Sequence, residues 1–264
     1  MARRLMVGAF QFDACGDPER NLAALERGIE RAGKAGVRLL ATQECGICGY
    51  PPVEVASVDA IDWAAQSAAI GRVAELAQEW SMYVVVGMAS RTQRGVKNAV
   101  RLVTPKGALG RPYHKRPLYG WDAENFRPGE ADGGVHVVDG LRVGLRICYE
   151  VRFPEYFREL FRKRVDLVVV SSADVGSGNK KHEVMRAHLI SRAAENAMYV
   201  LAANSASGPQ LSPTCLIDPD GRQVCSAPKN KEALIVGEVE VGPPPFGRQG
   251  RIQHSSRLVT LASG

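Results

Sequence analysis

Three side chains of different chemistry fall where strands are expected to end and loops to begin. Glu44 follows the run VRLLAT, Lys115 lies in the loop opened by LGRPYH, and Cys148 closes the run VGLRI just before a change of period. Loops beyond strand ends are where α/β folds gather binding and catalytic groups. A carboxylate, an ammonium and a thiol form a complete hydrolytic set. The thiol attacks, the carboxylate takes its proton and later passes one to a leaving amine, and the ammonium steadies the oxyanion. A cysteine at a strand-to-helix junction is well placed for this, because the helix N-terminus favours the thiolate and its first amides point at the attacked group. Spacing alone does not establish that the three side chains meet.

The segment ATQECGICGYPP offers a competing chemistry. Cys45 and Cys48 form a Cys-x-x-Cys pair, the pattern of a redox couple or of half a zinc site. Cys215 and Cys225 are too far apart to supply a second such pair. The thiols of Cys45 and Cys48 are therefore expected to be small buried groups under the strand end that carries Glu44.

The elements that must position these residues alternate. Residues 5–12 read as a strand, and residues 18–35 as an amphipathic helix with Leu22, Leu25, Ile29 and Ala32 on one face. A strand at 37–42 and a helix at 61–80 follow. MYVVVGMAS and KNAVRLV are β-rich, and Thr104-Pro105-Lys106-Gly107 is a turn signal. The stretch RPYHKRPLYGWDAENFRPGE is a proline-broken loop. GVHVV and LRVGLRIC pair around Asp139-Gly140. Pro154 opens a helix to about residue 164. A strand at 166–172, a helix at 180–198 and a strand at 199–203 come next. TCLIDPDGRQVCS is a hairpin, and EALIVGEVEV is the last strand. No linker, low-complexity segment or obvious repeat interrupts this order, so one α/β domain over residues 1–264 is expected.

Bulk properties narrow the partners. The 264 residues are 45% hydrophobic, enough for a sizeable core. The net charge of +6 is scattered, and its densest clusters, such as Arg162-Lys163-Arg164 and Lys180-Lys181, are short. A nucleic-acid partner is not expected. Nor is a membrane partner, since no run is long and apolar enough to span a bilayer. The N-terminal apolar run contains Gln11 and stops at Asp13, which suits a buried strand better than a signal peptide. Six cysteines without a secretory signal suggest reduced thiols and a cytoplasmic location.

Beyond these physical readings, three local signatures resemble the nitrilase superfamily, the carbon–nitrogen hydrolases. LLATQECGICGYPP resembles the strand, catalytic glutamate and Gly-Tyr-Pro of that family, YHKRPLYG its lysine segment, and GLRICYEVRFPEYFREL its nucleophile segment. TPKG with Asn98, SRAAENAMYVLAANS and IDPDGR add supporting likeness, over residues 5–241 in all. The resemblance implies a single-domain α-β-β-α sandwich without metal or organic cofactor. It also implies a homodimer or larger homo-oligomer, with the tail 242–264 expected at the subunit interface. It assigns Glu44, Lys115 and Cys148 as the catalytic triad and the backbone N–H of Tyr149 to the oxyanion. A second acid assists in this family. Glu124 in ENFRPG matches one spacing, and Asp122 is the alternative by another.

The nucleophile segment CYEVRFPE looks most like the small-amide branch, which implies hydrolysis of a linear amide through a thioester on Cys148. An N-carbamoyl amine or amino-acid hydrolase is the alternative, a nitrilase the third reading, and a non-catalytic binding member the rival of different class. The substrate is a small amide or carbamoyl compound. Two departures bear on its identity: Ser212-Pro213-Thr214 stands where Gly-x-Ser is frequent, and KKHEVMRAH lacks a common tryptophan. Tyr50, Trp121 and Tyr149 are candidates for the pocket wall or for core. Arg152 has two readings, a fork for a substrate carboxylate or a structural ion pair. Asp174 likewise could meet a cationic substrate or belong to an ordinary turn. His114 and His182 are read as structural or surface residues.

Overall fold

A computed structural model describes residues 2–130, 133–177 and 179–261. The first half builds β1 (Arg3–Gln11), α1 (Pro18–Lys34), β2 (Leu39–Ala41), α2 (Trp63–Glu79), β3 (Tyr83–Thr92), β4 (Gly95–Val103) and β5 (Tyr113–His114). Asp17 caps α1 by accepting from the amides of Glu19 and Arg20, with Pro18 in the first turn where its missing N–H costs nothing. The apolar stripe then lays Leu25, Ile29 and Ala32 on the sheet, beside Val73 and Leu76 of α2. After the four-residue helix α3 (Asp122–Asn125), the second half builds β6 (Val135–Val138), β7 (Leu141–Ile147), α4 (Pro154–Arg162), β8 (Leu167–Ser172), α5 (Asn179–Asn196), β9 (Tyr199–Asn204), β10 (Cys215–Ile217), β11 (Gln223–Ser226) and β12 (Ala233–Val241).

Two six-stranded sheets result, ordered β12-β1-β2-β3-β4-β5 and β11-β10-β9-β8-β7-β6. In each, three parallel strands linked through helices form the centre, β1-β2-β3 and β7-β8-β9, and antiparallel strands flank it. Strands covered on both faces read as continuous apolar runs, as LVVV in β8 does. Val7, Leu39 and Val85 of the first sheet meet Leu145, Val169 and Leu201 of the second in a dry interlayer. Phe157, Leu189 and Ala193 of α4 and α5 cover the other face of the second sheet. The architecture is the expected α-β-β-α sandwich. The Asp139-Gly140 turn is also as expected, with both residues at positive φ as a two-residue hairpin requires.

The tail after β12 is not featureless: Phe246–Leu261 forms helix α6. Arg248 and Arg251 both pair with Asp220 in the β10–β11 turn, and Phe246 and Leu258 stay exposed. Residues 262–264 of the expected interface tail lie outside the described residues. Among the described residues no helix is long and apolar enough to cross a membrane.

Candidate active site

The two sheets bring their parallel strand ends together, and the site forms there. Beyond β2, the Ser171 hydroxyl donates to the carbonyl of Thr42 at 2.8 Å, and the Glu44 amide donates to the Ser172 carbonyl at 3.3 Å. The turn bearing Glu44 presses onto β3 so closely that only glycine fits at position 87. A Cβ there would lie 2.2 Å from the Gln43 carbonyl oxygen and 2.8 Å from the Glu44 Cα. The Glu44 carboxylate is buried and fully engaged. Its Oε1 accepts from Asn98 Nδ2 at 2.7 Å and Lys115 Nζ at 2.8 Å, and its Oε2 accepts from the Ala173 amide at 2.9 Å.

Lys115 leaves β5 under backbone control. Its amide donates to the Asn98 carbonyl at 2.9 Å and its carbonyl accepts from Gly129 at 2.7 Å. The ammonium is completely buried and shared by two carboxylates, Glu44 at 2.8 Å and Asp122 Oδ2 at 2.6 Å. The Tyr50 hydroxyl donates to the other oxygen of Asp122 at 2.5 Å. Its ring lies 5.6 Å from the ammonium, so Tyr50 contacts both groups.

Cys148 begins a short 3₁₀ segment, residues 148–152, with φ at +44°. That conformation is strained for a side chain other than glycine and persists only where neighbours enforce it. It turns Cys148 into a cavity of about 520 Å³ whose wall also includes Lys115, Tyr50, Tyr149 and Arg152. Tyr149 follows in the same segment, where the first N–H groups of a helix have no intrahelical acceptor.

Burial dominates the electrostatics. It raises the Glu44 carboxyl above its ordinary value, a rise that Lys115 opposes and Asp122 reinforces. It pushes the Cys148 thiol well up, and Glu44 pushes the same way. For Lys115 burial works against the charge, yet the Glu44 and Asp122 carboxylates outweigh it and hold the ammonium protonated. The arrangement at rest is a neutral thiol beside a carboxylate on which three donors converge and a fixed cation. A raised carboxyl is the better proton acceptor, so thiol deprotonation and proton uptake by Glu44 suit one another.

The other expected residues divide. Of the two candidates for second acid, Asp122 reaches Lys115 and Glu124 does not. Glu124 sits exposed on α3, two residues from Asp122 and on the far side of that single turn. Asp174 is buried in the cavity wall, with Oδ1 held by Lys181 at 2.6 Å. Trp121 lines the mouth at 40% exposure. Arg152 lines the same cavity, 3.5 Å from His188 Nε2. Cys45 and Cys48 are buried against Tyr50 and Ala173. Among the described residues no group of three or more His, Cys, Asp or Glu side chains gathers at metal-binding distance. Two polar groups had not been singled out as site residues. Asn98 bonds Glu44 directly, and its place as a polar residue inside the apolar strand NAVRLV was the available signal. Glu150 contacts the residues beside Lys115 and Cys148.

A sandwich with a glutamate, lysine and cysteine at its joined strand ends defines a class. The carbon–nitrogen hydrolase family profile matches residues 6–242, and the chain belongs to that family. It is an enzyme of the nitrilase superfamily, on its amidase branch. A protein described as a hydrolase from Mycobacterium tuberculosis is 34% identical over 201 residues, 72% of this chain and 68% of its own length. The 2-oxoglutaramate amidase of Bacillus subtilis is 26% identical over 89% of this chain and 90% of its own. An amidase from Nesterenkonia sp. superposes with a TM-score of 0.77 at 26% identity, covering 96% of this chain and 95% of that one. A mutant of the Nesterenkonia sp. AN1 amidase, also 26% identical with a TM-score of 0.77 over 96% of this chain and 98% of that one, shows Michael addition of acrylamide at its active-site cysteine.

Proposed function

We propose that the protein hydrolyses the C–N bond of a small linear amide through a thioester on Cys148. The observation that carries this reading is the opening of Cys148 onto the same cavity as Lys115, whose ammonium is bonded to Glu44. Glu44 accepts the thiol proton as sulfur attacks the amide carbon. Lys115 and the Tyr149 N–H hold the oxyanion. Glu44 returns the proton to the nitrogen, which leaves as ammonia from a primary amide. Water, deprotonated by Glu44, then attacks the thioester, releases the acid and restores the thiol. Asp122 keeps Lys115 charged and in place; it takes the role first offered to Glu124.

The acyl group we assign is one that ends in a carboxylate. Among the described residues no carboxylate pairs with Arg152, so its planar fork is available to an anion in the cavity. The name of the 2-oxoglutaramate amidase relative fits such a substrate. The test is ammonia release from a panel of primary amides with and without a distal carboxylate, carbamoyl compounds and nitriles, with Cys148→Ala alongside. Release from the carboxylate-bearing amides, abolished in the variant, is the expected result. A preference for carbamoyl compounds or nitriles would move the enzyme to another branch, and substantial activity in Cys148→Ala would remove the nucleophile.

A further inference from the structure

Glu150 lies two residues past the nucleophile, is completely buried, and is absent from the cavity wall. Its carboxylate joins the two halves of the site. Oε2 accepts from the Ile147 amide at 2.7 Å, directly before Cys148. Oε1 accepts from the Arg116 amide at 3.2 Å, directly after Lys115, and from the Tyr113 hydroxyl at 2.6 Å, two residues before it. The first bond folds the side chain back over the start of the 3₁₀ segment, as a glutamate does in a capping box. The other two cross to the sheet that carries Lys115.

Charged neighbours hold this carboxylate from the far side. Arg116 Nε lies 3.8 Å from Oε1 and also donates to the Tyr113 hydroxyl at 3.2 Å. Arg116 is itself gripped by Glu159 through both terminal nitrogens, at 3.1 and 2.7 Å, and Arg146 reaches the same Glu159 at 3.4 Å. Arg146 in turn donates to the carbonyls of Leu145 and Tyr156. The acid is thus the buried centre of a network that spans both sheets and reaches the surface at Glu159.

We propose that Glu150 is the positioning residue that fixes the Cys148 thiol relative to the Lys115 ammonium, a role that rests on the amide-hydrolase reading above. Cys148 occupies a left-handed backbone conformation, which the surroundings must enforce. A carboxylate can accept at both ends at once, and here three donors converge on it. A carboxamide cannot match them: in either orientation its NH₂ faces an N–H or O–H donor. If its oxygen stays with Tyr113 and Arg116, the Ile147 amide loses its acceptor and the turn bearing Cys148 relaxes.

The experiment compares wild type with Glu150→Gln, normalised to folded protein by circular dichroism. Two rates are read: ammonia release from a small primary amide, and alkylation of Cys148 by iodoacetamide followed by mass. In the second, the thiolate displaces iodide to form a C–S bond and Glu44 takes the proton. The expected result is a kcat lower by at least about tenfold with KM within about threefold, and an alkylation rate lowered in parallel. Equal kcat and equal alkylation per folded molecule would overturn the proposal, because a purely structural acid changes the folded fraction and not the rate per site. If Glu150→Gln does not fold, Tyr113→Phe removes one donor and keeps the Ile147 bond. It is expected to lose about three- to tenfold in kcat, a partial loss of the same positioning, and an unchanged kcat would overturn the proposal. Should wild type release ammonia from no compound, the amide-hydrolase reading fails on its own, and the alkylation rates still decide whether Glu150 positions Cys148.

Discussion

Replacing Asp122 with asparagine perturbs how two carboxylates share one ammonium. Lys115 Nζ stands 2.8 Å from Glu44 and 2.6 Å from Asp122, with all three side chains shut off from solvent. At the effective dielectric that suits protein sites, each contact carries about 6 kcal/mol of gross Coulomb attraction. The near-equality suspends Lys115 between them. Asparagine keeps the size, and its oxygen still accepts from the Tyr50 hydroxyl, but the charge is gone and Lys115 shifts onto Glu44.

The sign of the pH effect follows from what Asp122 does now. Its charge raises the Glu44 carboxyl and also raises the Cys148 thiol. Removing it lowers both. The acid limb of the kcat/KM profile, which needs Glu44 ionised, and the alkaline limb, which needs Cys148 protonated, therefore both move to lower pH. A shift of about one unit corresponds to about 1.4 kcal/mol of changed interaction. The displaced ammonium costs more: kcat falls on the order of 100-fold, as for a misplacement of about 1 Å at a reacting centre. Stability falls by about 1–3 kcal/mol, less than when a buried charge loses its last partner, because Lys115 retains Glu44. The assay is ammonia release from a small amide across the acid, neutral and alkaline range, with urea unfolding in parallel. Limbs that stay in place, or move to higher pH, would refute the charge-sharing argument.

Other substitutions separate the parts of the site. Gly87→Ala puts a methyl group against the turn of Glu44; denaturant unfolding should show a loss of about 1–3 kcal/mol, together with a fall in kcat. Glu124→Gln removes an exposed charge that does not reach Lys115, and kcat should stay within about twofold, the small effect usual for surface changes; a large loss would restore Glu124 to the mechanism. Cys45→Ala and Cys48→Ala trim buried thiols, so unfolding should register about 1–2 kcal/mol while ammonia release persists; loss of turnover in a folded variant would contradict their reading as packing groups.

The three candidates were legible because Glu44 and Cys148 each close an apolar run and Lys115 lies in the loop after LGRPYH, where residue type and element boundary are both local information. The second acid was not, for a geometric reason. Asp122 and Glu124 are two residues apart on a helix, about 200° around its axis, so only one can face Lys115. Which one depends on the path of residues 116–121, and that path is set by contacts across the site: the Tyr119 amide donates to Asp122 Oδ2 at 2.9 Å. Glu150 was illegible for a related reason. A charge beside a nucleophile reads as solvated until Tyr113 and Arg116 arrive from the other sheet to bury it. Helix α6 has no clear apolar stripe and is held through Asp220, a partner that only the folded β10–β11 turn brings near.

The charge balance explains why the site needs more than three residues. Glu44 and Lys115 alone would cancel, and a lysine paired with one carboxylate would settle on it and weaken it as a base. Asp122 adds a second negative charge, so the ammonium bonded to Glu44 at 2.8 Å is shared with a second carboxylate at 2.6 Å. Burial, reinforced by the same excess negative charge, keeps Cys148 a thiol at rest, so sulfur becomes nucleophilic only as Glu44 takes its proton. That coupling demands a fixed thiol, and Cys148 sits in a backbone conformation that the chain would otherwise leave. The two requirements meet in the sandwich itself: one sheet supplies the acid and the ammonium, the other supplies the sulfur, and the bonds from Ser171 to Thr42 and from Glu44 to Ser172 set the distance between them. Loosening the interlayer should therefore lower kcat before it unfolds the chain.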